Sequence, residues 1–303
     1  MKKLQFKYET KFNGHKPVMI NEVVNGLNIR KGYTYVDATF GAGGYSKAIL
    51  NTLDCKVIAL DKDPDVINYV DKVKSEYQNK FEFYKGCFGD LENILKKTGK
   101  RKIDGGIVLD LGISSMQIED RKRGFSYSLD GPLDMRMSKQ GFSAFDVIND
   151  MPQEEIEIII KDLGEERKAK LIARKLVEYR KEKKINTTLE LANIVEKVVK
   201  RTPKSKKHPA TICHNIIVTQ LFNLLMGKQA AFKQNCAIPA FANTGNRILG
   251  ALCNFQCLAH QTLFQNDVAG SLVIHNERGR QQISLAIGQR RQTHTNINRL
   301  GWV

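Results

Sequence analysis

"YVDATFGAGGYSKAIL", residues 35–50, enters as a strand, passes Gly41, Gly43 and Gly44 within four positions, and leaves as a helix. The β-branched and aromatic residues up to Thr39 predict the strand, and Ser46 to Leu50 suits a helix start, so the glycines fall between the two. Glycine tolerates positive φ and carries no Cβ to hold a ligand away. The first N–H groups of the helix point into the space it leaves. A turn of this kind suits a nucleotide-like ligand when its surroundings agree.

The surroundings repeat a βα rhythm. Residues 56–60 form a short apolar run ending at Asp61, "DPDVINYVDKVKS" (63–75) reads as a helix begun by Asp63 and Pro64, and "FEFYKG" (81–86) reads as a third strand. "GDLENILKK" (89–97) is a further helix and "GGIVLDLG" (105–112) a fourth strand. Strands alternating with helices at this spacing predict an α/β fold with a parallel sheet and right-handed crossovers. The glycine turn follows the first strand, where open α/β sheets bind ligands. Asp61 lies 20 residues after Gly41 at the end of the second strand, the position from which an acid accepts ribose hydroxyls. Asp37 and Asp110 end the first and fourth strands, so three acids are expected at one sheet edge. Each acid alone could equally cap a turn. An NAD-dependent oxidoreductase would share the glycines and the ribose acid, but its loop is usually the stricter GxGxxG, and this spacing leans towards S-adenosylmethionine.

Composition bounds the alternatives. The chain has 303 residues, 42% of them hydrophobic, enough to bury a core, with no run of about 18 apolar residues, so no membrane association is expected. The opening "MKKLQFKYET" lacks the apolar segment of a secretion signal, which predicts a cytoplasmic protein. Six cysteines without a CxxC pair read as small apolar fillers, so no metal site is expected. A formal net charge of +16 points to a polyanionic partner.

"DLGISSMQIEDRKRGFSYSLDGPLDMRM" (110–137) resembles the signature of the bacterial small-subunit ribosomal RNA cytosine-N4 methyltransferases. The resemblance extends to "HKPVMINEVV" (15–24), "DATFGAGGYS" (37–46), "ALDKDP" (59–64), "GEERKAKLIARKLVEYR" (164–180) and "HPAT" (208–211), about the first 211 residues in all. It implies a Rossmann-like S-adenosylmethionine-dependent methyltransferase sheet with an inserted all-helical domain. The cofactor-binding half would occupy 1–112, an RNA-binding helical insertion 113–211, and residues 212–303 would complete the sheet. The implied substrate is a cytidine in the decoding region of 16S ribosomal RNA, on the small ribosomal subunit. A homodimer is left open. Carried onto matching positions, the family's S-adenosyl-L-methionine contacts fall at Gly43, Gly44, Tyr45, Asp61, Phe88, Asp110 and Gln117. Histidine is common in the family where Tyr45 stands, a change that keeps a planar, polar-tipped ring.

The residues supply physical roles for these positions. Gly43 and Gly44 would let the loop approach the cofactor, Asp61 would accept from the ribose, and Gln117 offers a donor and an acceptor. Phe88 would lie against the adenine or would instead fill the core after the third strand. The exocyclic amine of cytosine is a weak nucleophile, so the reaction needs amine and methyl held about 3–3.5 Å apart and a group to take the proton. Asp110 and Asp134 are the candidate catalytic acceptors, with an ion-pair role open for Asp134.

The middle of the chain predicts three helices. "DMPQEEIEIIIKDLG" (150–164) runs from Pro152 to Gly164, the next helix gathers Ala169, Ile172, Ala173 and Leu176 on one face, and the third starts near Thr187 with Glu190 completing a capping box. The third turns Leu191, Ile194, Val195 and Val198 inward. Beyond it Lys200, Arg201, Lys204, Lys206 and Lys207 crowd around Pro203, a run that reads as an RNA-binding surface or as a solvated face. After "HPAT" the chain changes character: residues 212–303 hold two acids, Asp267 and Glu277, against 30 before, and Asn plus Gln number 20. The family would continue with a helix, further strands and an "SFHSLEDR"-like motif, none of which is found here. A reading-frame change near codon 212 or a divergent C-terminal domain would each produce this shift. The tail therefore also favours an alternative function, a non-catalytic RNA-binding protein that keeps the basic helical region.

Overall fold

A computed structural model of the chain describes residues 17–199, apart from positions 18, 98, 100–102, 111, 127, 164, 165, and three strands between 268 and 300. The described residues fall into two compact units, one on either side of the 112/113 boundary, with the three late strands joining the first.

The first unit is built on four parallel strands, β1 (Thr34–Asp37), β2 (Lys56–Asp61), β3 (Phe81–Lys85) and β4 (Gly106–Asp110), in the order β3-β2-β1-β4. Tyr35, Val36, Val57, Ile58, Ala59, Leu60, Ile107, Val108 and Leu109 are all buried, irrespective of which face they point to. Continuous burial of this kind marks a parallel sheet covered on both sides. The helices α1 (Ile20–Leu27), α2 (Gly44–Thr52), α3 (Ile67–Tyr77) and α4 (Leu91–Lys97) alternate with the strands as the βα rhythm predicted. Asp63 accepts from the Asp65 N–H at 2.9 Å and Pro64 opens a short 3-10 turn that leads into α3, so the expected start signal works through one turn of tighter helix. The sequence reading passed over α1, although Ile20, Val23, Val24 and Leu27 recur at the spacing of a buried helical stripe.

Three further strands, β5 (Val268–Glu277), β6 (Arg280–Gln289) and β7 (Gln292–Leu300), extend this sheet as an antiparallel meander. β5 runs along β4 from Gly106↔His275 to Asp110↔Ser271. The outer edge of β4, which an uncompleted sheet would leave unpaired, is therefore covered.

The second unit contains α5 (Ser115–Glu119), α6 (Ala144–Asp150), α7 (Gln153–Ile158), α8 (Ala169–Glu182) and α9 (Thr188–Val198). Its core joins Phe125, Leu133 and Met135 to Ile156, Leu176, Ile185 and Val195. The inward residues expected on α8 are all buried; on α9 Leu191, Ile194 and Val195 are buried and Val198 packs at the margin. Two details differ from the sequence reading. α7 ends at Ile158 and passes into a π turn over Ile159–Leu163, short of Gly164. The Thr187 hydroxyl accepts from Glu190 N–H at 3.2 Å, but the Glu190 carboxylate accepts from Asn186 N–H at 2.8 Å and Lys183 Nζ at 2.7 Å, so the reciprocal half of the box reaches one residue further back.

Candidate functional site

The parallel register places the candidate acids. Asp37 is level with Ala59 on β2 and Val108 on β4, so both neighbours run two residues beyond the end of β1 before reaching Asp61 and Asp110. A notch results at the carboxyl ends of the strands, and the glycine turn enters it. The order β3-β2-β1-β4 makes the gap between β1 and β4 the topological switch point, where crossovers depart in opposite directions and leave a crevice.

Two carboxylates hold the turn at its two ends. Asp61 accepts from the Gly41 N–H through Oδ2 at 2.8 Å and from the Asp63 N–H through Oδ1 at 2.9 Å. Each oxygen takes one of these backbone donors, so lone pairs remain for ribose hydroxyls. Burial pushes the Asp61 carboxyl above the usual carboxylate range, against the pull of those two N–H groups. Asp37 is fully buried and accepts from Ser46 twice, from Oγ at 2.7 Å and from N–H at 3.1 Å, through one oxygen. Its other oxygen faces the Thr39 N–H at 3.4 Å. Burial pushes Asp37 up to about 7, with the Ser46 and Thr39 hydrogen bonds opposing and the Asp61 charge adding to the rise.

The three glycines serve different ends. Gly41 has φ +53°, and among the described residues nothing lies within 4 Å of the place a Cβ would occupy, so its face is open there. At Gly43, with φ +80°, a Cβ would stand 2.8 Å from the Phe40 ring and 3.2 Å from Val73. At Gly44 a Cβ would strike the Pro17 ring. The second and third glycines are thus required by packing within the protein, and the first is the one that leaves room beside the chain. Tyr45 is buried in the first turn of α2, and Phe88 is buried just after β3, at the start of a 3-10 turn.

Asp110 ends β4 at intermediate exposure, and its N–H donates to the Thr39 hydroxyl at 2.7 Å. Thr39 was missed by the sequence reading. Its signal was available: a threonine two residues past the end of β1, the distance by which β4 overruns that strand.

Gln117 and Asp134 belong to the second unit. Gln117 is buried in α5, its N–H donating to Ser114 Oγ at 3.2 Å and its Oε1 accepting from Ser114 N–H at 3.0 Å, a capping box that orients the side chain. Asp134 accepts from Arg136 three times, from N–H at 2.9 Å, Nε at 3.0 Å and Nη2 at 2.6 Å. Burial pushes Asp134 up, but the hydrogen bonds and charge of Arg136 outweigh it and hold the carboxyl below the usual range. A carboxylate so engaged is a weak proton acceptor, which favours the ion-pair role. Lys200, Arg201, Lys204, Lys206 and Lys207 lie outside the described residues. Among the described residues no group of His, Cys, Asp or Glu is arranged to hold a metal ion, and no helix is long and apolar enough to cross a membrane.

Comparison with known proteins finds a match to the MraW methylase family over residues 12–219. The chain is 44% identical over 197 residues to ribosomal RNA small subunit methyltransferase H of Parvibaculum lavamentivorans, covering 65% of this chain and 58% of that one. The protein of the same name from Rickettsia akari is 48% identical over 65% of this chain and 63% of its own, and that from Rickettsia prowazekii 50% identical over 60% and 58%. The chain thus spans about three fifths of the length of these curated relatives. Among solved structures, coclaurine N-methyltransferase (13% identity, TM-score 0.24, 51% of this chain and 61% of that one) and geranyl diphosphate methyltransferase (11%, 0.26, 67% and 79%) align at a level that bears no weight.

Proposed function

The chain belongs to the MraW methylase family, and on that premise we propose that it methylates the N4 amine of a cytidine in the decoding region of 16S ribosomal RNA, using S-adenosyl-L-methionine. The observation that carries the reading is the notch at the end of β1, where the open face of Gly41 and the Asp61 carboxylate border the switch-point crevice. Both fit the cofactor: a backbone without a side chain for close approach, and an acceptor with lone pairs to receive ribose hydroxyls. When bound, the cofactor supplies an electrophilic methyl group.

The protein's own part is positioning and proton transfer. Gly43 and Gly44 keep the turn in shape, Asp61 orients the ribose, and Tyr45, Phe88 and Gln117 contribute further contacts. Asp110, at the end of β4, contacts the cofactor, orients the incoming base and accepts the proton released as the amine forms its new bond. Asp134 serves the reaction through the shape of its own loop, held by Arg136. The basic run Lys200, Arg201, Lys204, Lys206 and Lys207 binds phosphates of the small ribosomal subunit. This reading places the protein in the cytoplasm, with assembly as a homodimer to be measured by light scattering.

Transfer of labelled methyl from S-adenosylmethionine to small subunits lacking the modification, followed by nucleoside mass spectrometry, tests the reaction. N4-methylcytidine is the expected product. Asp61→Ala is expected to weaken cofactor binding by about 1–3 kcal/mol, because buried hydroxyls lose a charged acceptor and Gly41 loses its anchor. Equal affinities by calorimetry would remove Asp61 from the site. The change in the chain's own composition after residue 211 favours one other reading, a non-catalytic RNA-binding protein. It is distinguished by RNA affinity without cofactor uptake.

A further inference from the structure

We infer that Thr39 is a positioning residue that fixes Asp110 at the mouth of the β1/β4 crevice through its side-chain hydroxyl, an inference that rests on the proposed cofactor site. Pairing between the two strands stops short of the site. Val36↔Ile107 and Asp37↔Val108 are in register, and the Ala38 N–H still donates to Val108 O at 3.0 Å. One residue later β1 turns away into the glycine loop, and the Phe40 N–H goes to Leu60 O on the opposite neighbour at 2.9 Å. A parallel strand overrunning its partner in this way would leave the Asp110 N–H without a ladder acceptor.

The Thr39 hydroxyl stands in for the missing backbone carbonyl, at 2.7 Å from the Asp110 nitrogen. It prolongs the sheet by one bond on the side where the main chain has left. Thr39 is itself held: its N–H faces the buried Asp37 carboxylate, whose other oxygen ties down Ser46 at the start of α2. A chain of contacts therefore runs from the beginning of α2 through Asp37 and Thr39 to Asp110, so that the glycine turn and the acid at the end of β4 share one anchor. A single hydrogen bond to a half-exposed backbone N–H adds little to folding, since water can replace it. Its value lies in restricting where the Asp110 carboxylate stands, a requirement that reactions under positional control feel strongly.

The test uses the full chain with S-adenosylmethionine as the probe. Thr39→Val removes the acceptor at nearly constant volume and is expected to weaken cofactor binding by about tenfold in calorimetry, the scale of one lost oriented contact, whereas Thr39→Ser stays within about twofold of the parent. Amide exchange at Asp110 is expected to quicken in Thr39→Val and not in Thr39→Ser, with the Val108 amide unmoved in both. In an Asp110→Asn background Thr39→Val is expected to add nothing, because the two act as one unit. Thr39→Ala serves as a smaller second removal if the valine variant fails to fold. A parent that binds, with Thr39→Val or Thr39→Ala binding equally well, overturns the inference alone. Losses that add independently of Asp110, or a serine variant as weak as valine, overturn it too. A parent chain that takes up no S-adenosylmethionine overturns the cofactor reading and with it the role assigned to Thr39.

Discussion

Asp37 shows how far a single residue's role departs from its position in a motif. From sequence it is one of three acids at a strand edge, but in the fold its carboxylate is sealed beneath the glycine turn and spends its acceptors on Ser46 and Thr39. Burial lifts it from an ordinary value of 3.8 to about 7. Between those values the folded chain holds a proton that the unfolded chain has released, so the contribution of Asp37 to stability is full below about pH 4 and is lost as the pH rises through 7. Asp37→Asn removes that titration. The advantage of the parent over Asp37→Asn in urea midpoint is expected to be larger at pH 4.5 than at pH 7.5; a constant difference would mean that the carboxyl titrates normally. Asp61, Asp110 and the glycines were legible as a group because their types and spacing carry the signal, while the division of labour between Asp37 and Asp61 depends on which of them the turn covers.

At the scale of elements, the strand–turn–helix unit from β1 to α2 is specified by pattern, but the reason for two of its three glycines is tertiary. Gly41→Ala meets no atom of the described residues and is expected to cost about 1–2 kcal/mol for a positive φ. Gly44→Ala carries no such penalty, yet its Cβ would collide with a proline ring from a segment 27 residues earlier, and rigid rings do not yield cheaply. Gly44→Ala is therefore expected to be the more destabilising of the two by thermal melting, and the reverse order would show that Pro17 moves aside freely. In the helical unit the apolar stripes of α8 and α9 were legible because periodicity of 3.6 survives without knowledge of the partner. The shifted capping contact of Glu190 was not, since Asn186 N–H and Lys183 Nζ reach its two carboxylate oxygens only once the preceding loop has its shape.

At the scale of the whole molecule, the net charge of +16 and the composition of the tail bear on function. Replacing Lys200, Arg201, Lys204, Lys206 and Lys207 together by Ala is expected to weaken binding to small-subunit RNA and to flatten its salt dependence by up to about four to five counterions' worth of slope. An unchanged slope would return the run to a solvated face. The similarity to relatives ends close to where the acids disappear: the family match stops at residue 219, and Asp267 and Glu277 are the last two carboxylates of the chain's side chains. We propose a reading-frame change near codon 212. Reading the gene in its other frames from that codon is expected to recover an "SFHSLEDR"-like segment, and its absence from every frame would make the tail a divergent domain. The antiparallel strands β5 to β7 describe how the present chain covers β4.

The sequence by itself determined the βα alternation, the site of the glycine turn, the acids at the strand ends and the family, because all of these are written in local periodicity, residue type and fixed spacing. Only the tertiary structure decided that β1 ends two residues short of both neighbours, that Pro17 and Phe40 account for two of the three glycines, and that Thr39 reaches the Asp110 backbone. These are distances between segments up to 71 residues apart. No local pattern encodes them, because they arise when separate strands settle into one register around a shared core.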